Sequence, residues 1–197
     1  MSNFDYSLFQ TINHLAISEK FLNSFMELLA QRAEYLFFAA IIFYWFYKKP
    51  TNRKMVVEAV VAACVGMVLN MVIGKVYYRD RPFVAHHVNL LISHAKNASF
   101  PSDHATAAFV IATTIWIWRK RDGWIWLILA AGVALSRVWT GVHYPLDVVG
   151  GMIIGVVIAF ITHQFLPRLN IVNRPINYLI DQYEKAENKI TKKSNTM

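Results

Sequence analysis

The sequence predicts an all-α, polytopic membrane helix bundle of about five transmembrane helices behind a short N-terminal interfacial helix. Three observations predict it. Hydrophobic residues make up 56% of the 197 residues and charged ones only 16%, well away from a soluble average. The apolar residues run in blocks near the roughly 20 residues that cross a bilayer core. The basic residues gather between alternate blocks, as in a chain that weaves through a membrane. Length suits one domain, and we expect a membrane-embedded domain over residues 1–170 with a basic C-terminal tail over 171–197.

The elements follow in order. Phe4, Leu8, Phe9, Ile12 and Leu15 recur near helical spacing among polar neighbours, the pattern of an amphipathic surface helix. The basic start, apolar middle and small-residue cleavage site of a signal peptide are absent from this stretch. Phe25–Tyr47 is interrupted by Gln31, Arg32 and Glu34, although Tyr35–Tyr47 is almost purely apolar. Met55–Tyr78, Phe100–Trp118, Trp124–Trp139 and Val148–Leu166 complete the five. Cys64, the only cysteine, sits in one of these blocks and reads as a small apolar packing residue.

The formal charge of +8 reports topology rather than nucleic-acid binding. Lys48, Lys49, Arg53 and Lys54 fill the first connection, and Arg119, Lys120 and Arg121 the third. Arg168, Arg174, Lys185, Lys189, Lys192 and Lys193 follow the last block. With five spans these segments share one side, which the positive-inside rule makes cytoplasmic. The N-terminus is then outside and the C-terminus inside. The blocks of apolar sequence exclude a soluble nucleic-acid binder.

The two outward connections run against that trend. They hold Arg79, Arg81, His86, His87, His94 and His143, with Lys75, His104 and Arg137 within about a helical turn. Ionisable groups near a membrane are costly and usually functional, so three stretches are expected to form one site. Lys75-Val76-Tyr77-Tyr78-Arg79-Asp80-Arg81-Pro82 brings cations suited to an anionic headgroup, although snorkelling residues at a helix end look the same. Phe100-Pro101-Ser102-Asp103-His104 reads as a helix start, with Pro101 in the first turn and Ser102 as cap. Such a start is a ready anion site beside which His104 can deliver a proton. Simple capping with a solvated histidine also accounts for it.

Ser136-Arg137-Val138-Trp139-Thr140-Gly141-Val142-His143-Tyr144-Pro145-Leu146-Asp147 is the most informative stretch. Pro145 suits the first turn of a helix. The four-residue separation permits a hydrogen bond from Asp147 to His143, fixing its tautomer and leaving the other nitrogen free to attack. Arg137 can neutralise phosphoryl oxygens as charge shifts in the transition state. Zinc ligation by His86, His87 and His94 fits no strong spacing template; loop histidines or headgroup contacts suit them better.

Together these stretches resemble the type 2 phosphatidic acid phosphatase family. That pattern has a Lys followed by Arg-Pro, then Pro-Ser-Gly-His, then Ser-Arg with five residues to His and three more to Asp. Ser136, Arg137, His143 and Asp147 match the third part, Pro101, Ser102 and His104 the second, and Arg81-Pro82 the end of the first. The likeness covers Lys75 to Asp147. It departs at Lys75, six rather than seven residues before Arg81, and at Asp103, which replaces a glycine. The resemblance implies a nucleophilic His143 oriented by Asp147, with His104 protonating the leaving group. It implies that Lys75, Arg81, Ser102 and Arg137 hold the phosphoryl oxygens, and that no metal or other cofactor is needed. We expect Asp103, beside the phosphate cradle, to tune substrate choice.

Arg81-Pro82-Phe83-Val84-Ala85-His86 is further similar to the bacitracin-resistance branch of bacterial undecaprenyl-diphosphate phosphatases. That likeness implies a polyprenyl diphosphate substrate drawn from the outer leaflet. Two alternatives stay open at this point: a phosphatidylglycerophosphate or phosphatidate phosphatase, and a non-catalytic lipid-phosphate binding or transport protein.

Overall fold

Apolar blocks joined by short connections reverse direction at each joint, because each block satisfies its backbone internally as a helix and packs beside its neighbour. The computed structural model describes residues 3–47 and 50–194; Lys48 and Lys49 of the first basic connection lie outside them. The described helices are α1 (Asn3–Ser18), α2 (Asn23–Phe46), α3 (Pro50–Val76), the single turn α4 (Pro82–Ala85), α5 (Asp103–Trp118), α6 (Lys120–Trp139), α7 (Pro145–Phe165) and α8 (Asn170–Ser194). No strand occurs among the described residues.

Helix α5 is the central post, packed against α3, α6 and α7. Its residues from Ala108 to Ile115 are buried without interruption, as expected for a helix enclosed on all sides. Glycine sets the crossing with α7. A Cβ on Gly151 would stand 2.6 Å from the Ser102 carbonyl oxygen, and one on Gly155 would stand 2.7 Å from that of Thr106. Small residues one turn apart let membrane helices approach this closely. The start of α5 is thereby seated on the start of α7, where Ser102 N donates to the Asp147 carbonyl at 3.0 Å.

Among the described residues, three helical stretches are long and apolar enough to cross a membrane by length and composition: Thr51–Val76, Lys120–Trp139 and Pro145–Arg168. Of the five predicted blocks, α5 has only 16 residues, about 24 Å at 1.5 Å per residue, and α2 carries Glu27, Arg32 and Glu34. Large apolar side chains such as Phe38, Ile42, Val68, Ile153 and Phe160 point outward, a surface suited to hydrocarbon.

Helix α1 forms over the stretch expected to be an interfacial helix. Its inward stripe is Asp5, Phe9, Asn13 and Ala16, while Phe4, Leu8 and Leu15 are exposed. Asn13 donates to the Trp139 carbonyl at 2.8 Å and the Asn89 carbonyl at 2.9 Å. Asn13 therefore pins it to the end of α6 and to the loop after α4. At the opposite end of the bundle, Arg53 pairs with Glu184 at 3.0 Å and with Glu187. Arg119 holds Asp122 at 2.6 Å. The described parts of all three basic segments thus share one end.

Candidate active site

The joint between α6 and α7 is shaped by Gly141, whose φ of +83° is one a side chain rarely adopts. Beyond it, the N–H groups of Val142 and His143 both return to the Arg137 carbonyl at 3.2 Å. The chain then enters α7 with Tyr144 as N-cap and Pro145 in the first turn, as predicted. Asp147 caps that turn, its Oδ2 accepting the Tyr144 N–H at 2.9 Å. His143 is left facing inward, only 1% exposed.

Partners identify the tautomer of His143. Arg81 Nη1 lies 3.0 Å from Nε2, and a guanidinium can only donate, so Nε2 is the bare acceptor and Nδ1 carries the proton. Nδ1 faces Asp147 Oδ2 at 3.6 Å and Ser99 Oγ at 3.5 Å, while Ser99 donates to Asp147 Oδ2 at 2.5 Å. The predicted imidazole–carboxylate contact is thus long and has a serine hydroxyl beside it. Burial pushes the His143 pKa down to about 4. The ring is neutral at pH 7, with its free nitrogen beside a cation.

Two guanidinium groups line this nitrogen's surroundings. Arg81 is fixed by Asn97 Oδ1 at 2.9 Å and the Val142 carbonyl at 3.0 Å. Arg137 is 2% exposed and donates from Nη1 to the Ala30 carbonyl at 2.7 Å. Its Nε and Nη2 are buried with no hydrogen-bond partner among the described residues. Buried donors without partners are costly, and a tetrahedral oxyanion would satisfy both.

Ser102 caps α5, with its hydroxyl 3.5 Å from Ala105 N. Pro101 precedes the cap rather than entering the first turn, because Ser102 is still extended and the helix begins at Asp103. His104 lies within electrostatic reach of Arg137, His143, His94 and Arg81, and its Nε2 is 3.8 Å from Glu34 Oε2. It heads an apolar cavity of about 290 Å³ lined by Phe37, Phe38, Met67, Ala107 and Val133. Asp103 turns instead to Asn70, whose amide donates to Oδ1 at 2.9 Å. Lys75 is exposed and lines a separate groove with Asn97, Ala98 and Asp103. The predicted set is therefore gathered around His143, with Lys75 and Asp103 at its margin.

Four contributors carried no signal strong enough to assign them a role. Ser99, Asn97 and Asp5 are ordinary residues in their local sequence. Only Arg79 stood out, as one of three cations. Among the described residues, no three His, Cys, Asp or Glu side chains gather as a metal site.

A buried imidazole with an unprotonated nitrogen, a carboxylate on its other side and two nearby guanidinium groups suit phosphoryl transfer. Residues 55–171 match the family model described as the PAP2 superfamily. The chain belongs to that family. Among its PAP2 relatives is the "Bacitracin transport permease protein BcrC" of Bacillus licheniformis, 35% identical over 98% of this chain and 94% of that one. Another is the undecaprenyl-diphosphatase BcrC of Bacillus subtilis, 35% identical over 96% of each chain. The crystal structure of Aquifex aeolicus LpxE superposes with a TM-score of 0.69 at 28% identity, covering 83% of this chain and 96% of that one.

Proposed function

We propose that this lipid phosphatase hydrolyses undecaprenyl diphosphate to undecaprenyl phosphate and phosphate, through a phosphohistidine on His143. The observation that carries the proposal is the bare Nε2 of His143 held 3.0 Å from Arg81 beside the unpaired donors of Arg137. A terminal phosphoryl group entering there draws Arg81 and Arg137 onto its oxygens. Nε2 attacks phosphorus, the N–P bond forms, and the bridging P–O bond breaks with its electrons leaving on the lipid monophosphate. His104 supplies a proton to that leaving oxygen. Water then attacks the phosphohistidine, passing a proton back to His104, and phosphate leaves as the N–P bond breaks with its electron pair returning to Nε2. The apolar cavity below His104 suits the first part of a lipid chain whose remainder lies in the bilayer. Near-full-length similarity to an undecaprenyl-diphosphatase supports this substrate over a glycerolipid.

The test is phosphate release by purified wild type and His143→Ala in chelator-treated detergent, on undecaprenyl diphosphate and on phosphatidylglycerophosphate. Wild type should prefer the diphosphate and form an acid-labile phosphoenzyme in rapid quench. His143→Ala should lose activity by about 10³-fold or more. Turnover that requires added metal would sink the mechanism, and preference for the glycerolipid would sink the substrate assignment. Because one relative's name describes a transport permease, uptake without turnover is the outcome that would replace hydrolysis with transport.

A further inference from the structure

Asp147 uses its two carboxylate oxygens for different purposes. Oδ2 serves Ser99, the Tyr144 N–H and the His143 side, while Oδ1 accepts Arg79 Nη1 at 2.8 Å. Arg79 Nη2 donates in turn to Asp5 Oδ2 at 2.5 Å. The other oxygen of Asp5 accepts the Leu146 N–H at 3.0 Å, inside the first turn of α7. Both carboxylates are buried, and the guanidinium lies 4.0 Å over the Tyr144 ring. Asp5 lies outside residues 55–171, which the family model matches.

We propose that Asp5 and Arg79 are positioning residues for Asp147, making the N-terminal helix part of the catalytic apparatus. The inference rests on His143 as nucleophile and Asp147 as its partner. Arg79 aims the carboxylate, but alone its charge would cancel the one that the imidazolium needs once Nε2 is phosphorylated. Asp5 restores the balance. Asp5, Arg79 and Asp147 together carry one net negative charge on the Nδ1 side of His143, opposite Arg81 at Nε2, and charges in a buried site are weakly screened. Asp5 also ties this charge to the backbone of α7 through the Leu146 N–H, a contact separate from the Asn13 pins that dock the rest of α1.

Steady-state kinetics on undecaprenyl diphosphate test this with Asp5→Asn, Arg79→Gln, their double variant and Asn13→Ala. Asp5→Asn is expected to lower kcat about tenfold with KM within about threefold. The double variant should be no slower than the slower single one, because removing the cation returns the net charge to Asp147. Asn13→Ala loosens α1 without touching the charges and should stay within about twofold of wild type. Wild-type kcat in Asp5→Asn, multiplying losses in the double variant, or an equal loss in Asn13→Ala would each overturn the proposal. Should Asp5→Asn not survive extraction, Arg79→Gln should lose more kcat than Arg79→Lys at similar KM; equal rates would overturn it. His143→Ala is measured in parallel. If it stays active, the nucleophile assignment fails, whereas an inactive His143→Ala beside a fully active Asp5→Asn rejects only the role of Asp5 and Arg79.

Discussion

His143 and His104 are the same side chain in two different settings. His143 is sealed among Arg81, Ser99 and Asp147, which leave one nitrogen bare. His104 is part-exposed at the mouth of an apolar cavity, with Glu34 3.8 Å away, a position from which a proton can be passed to a departing oxygen. The demand for that proton depends on the substrate. A diphosphate expels phosphate, a far better leaving group than the alkoxide expelled from a monoester. General-acid help contributes about 10²–10⁴-fold where the leaving group needs it. His104→Ala should therefore slow phosphatidylglycerophosphate hydrolysis by about 10²-fold or more, and diphosphate hydrolysis by about tenfold. Rapid-quench measurement of phosphoenzyme formation isolates the chemical step; equal losses on both substrates would contradict this role.

At the scale of elements, the site depends on how closely α5 approaches α7. Gly151 faces the Ser102 carbonyl with room for hydrogen alone, whereas a Cβ on Gly132 would make only an ordinary 3.5 Å contact with Leu29. Gly151→Ala should push α5 away, strain the Ser102–Asp147 bond and cost about 1–3 kcal/mol. The expected readout is a lower melting temperature in detergent with at least tenfold less activity, while Gly132→Ala matches wild type in both. The helices themselves were legible because their apolar blocks are long and their starts are marked by Ser102 and Pro145. Candidate site residues were legible where a motif marks them, as at Arg81, at Ser102 and His104, and at Arg137, His143 and Asp147. Ser99 reaches Asp147 across 48 residues, and Asp5 reaches Leu146 across 141. No local pattern encodes such contacts, which arise when α1 docks and the loop before α5 folds over the joint. The inward stripe of α1 carried no signal for the same reason: periodicity marks the apolar residues Leu8 and Leu15, which stay exposed, whereas tertiary hydrogen bonds draw Asp5 and Asn13 inward.

For the molecule as a whole, charge and chemistry occupy opposite ends. Arg53, Arg119 and the C-terminal helix lie at one end, held by Arg53–Glu184 and Arg119–Asp122 pairs. Arg79, Arg81, His104 and His143 lie at the other, where Asp5 and Asp147 answer part of their charge. The positive-inside rule counts basic residues in short connections near helix ends. Those at the α8 end have few competing constraints, while the cations at the site end are the ones proposed to hold the substrate's phosphate. On that rule we propose that the α8 end faces the cytoplasm and the site the outer face. Because α8 packs on the start of α3, its tail must share that side. In right-side-out vesicles, a C-terminal epitope tag should resist added protease until the membrane is permeabilised. The same sealed vesicles should hydrolyse an externally added short-chain polyprenyl diphosphate without permeabilisation. A tag cleaved in sealed vesicles, or hydrolysis that appears only after permeabilisation, would reverse the orientation and place the site among cytoplasmic lipid phosphates.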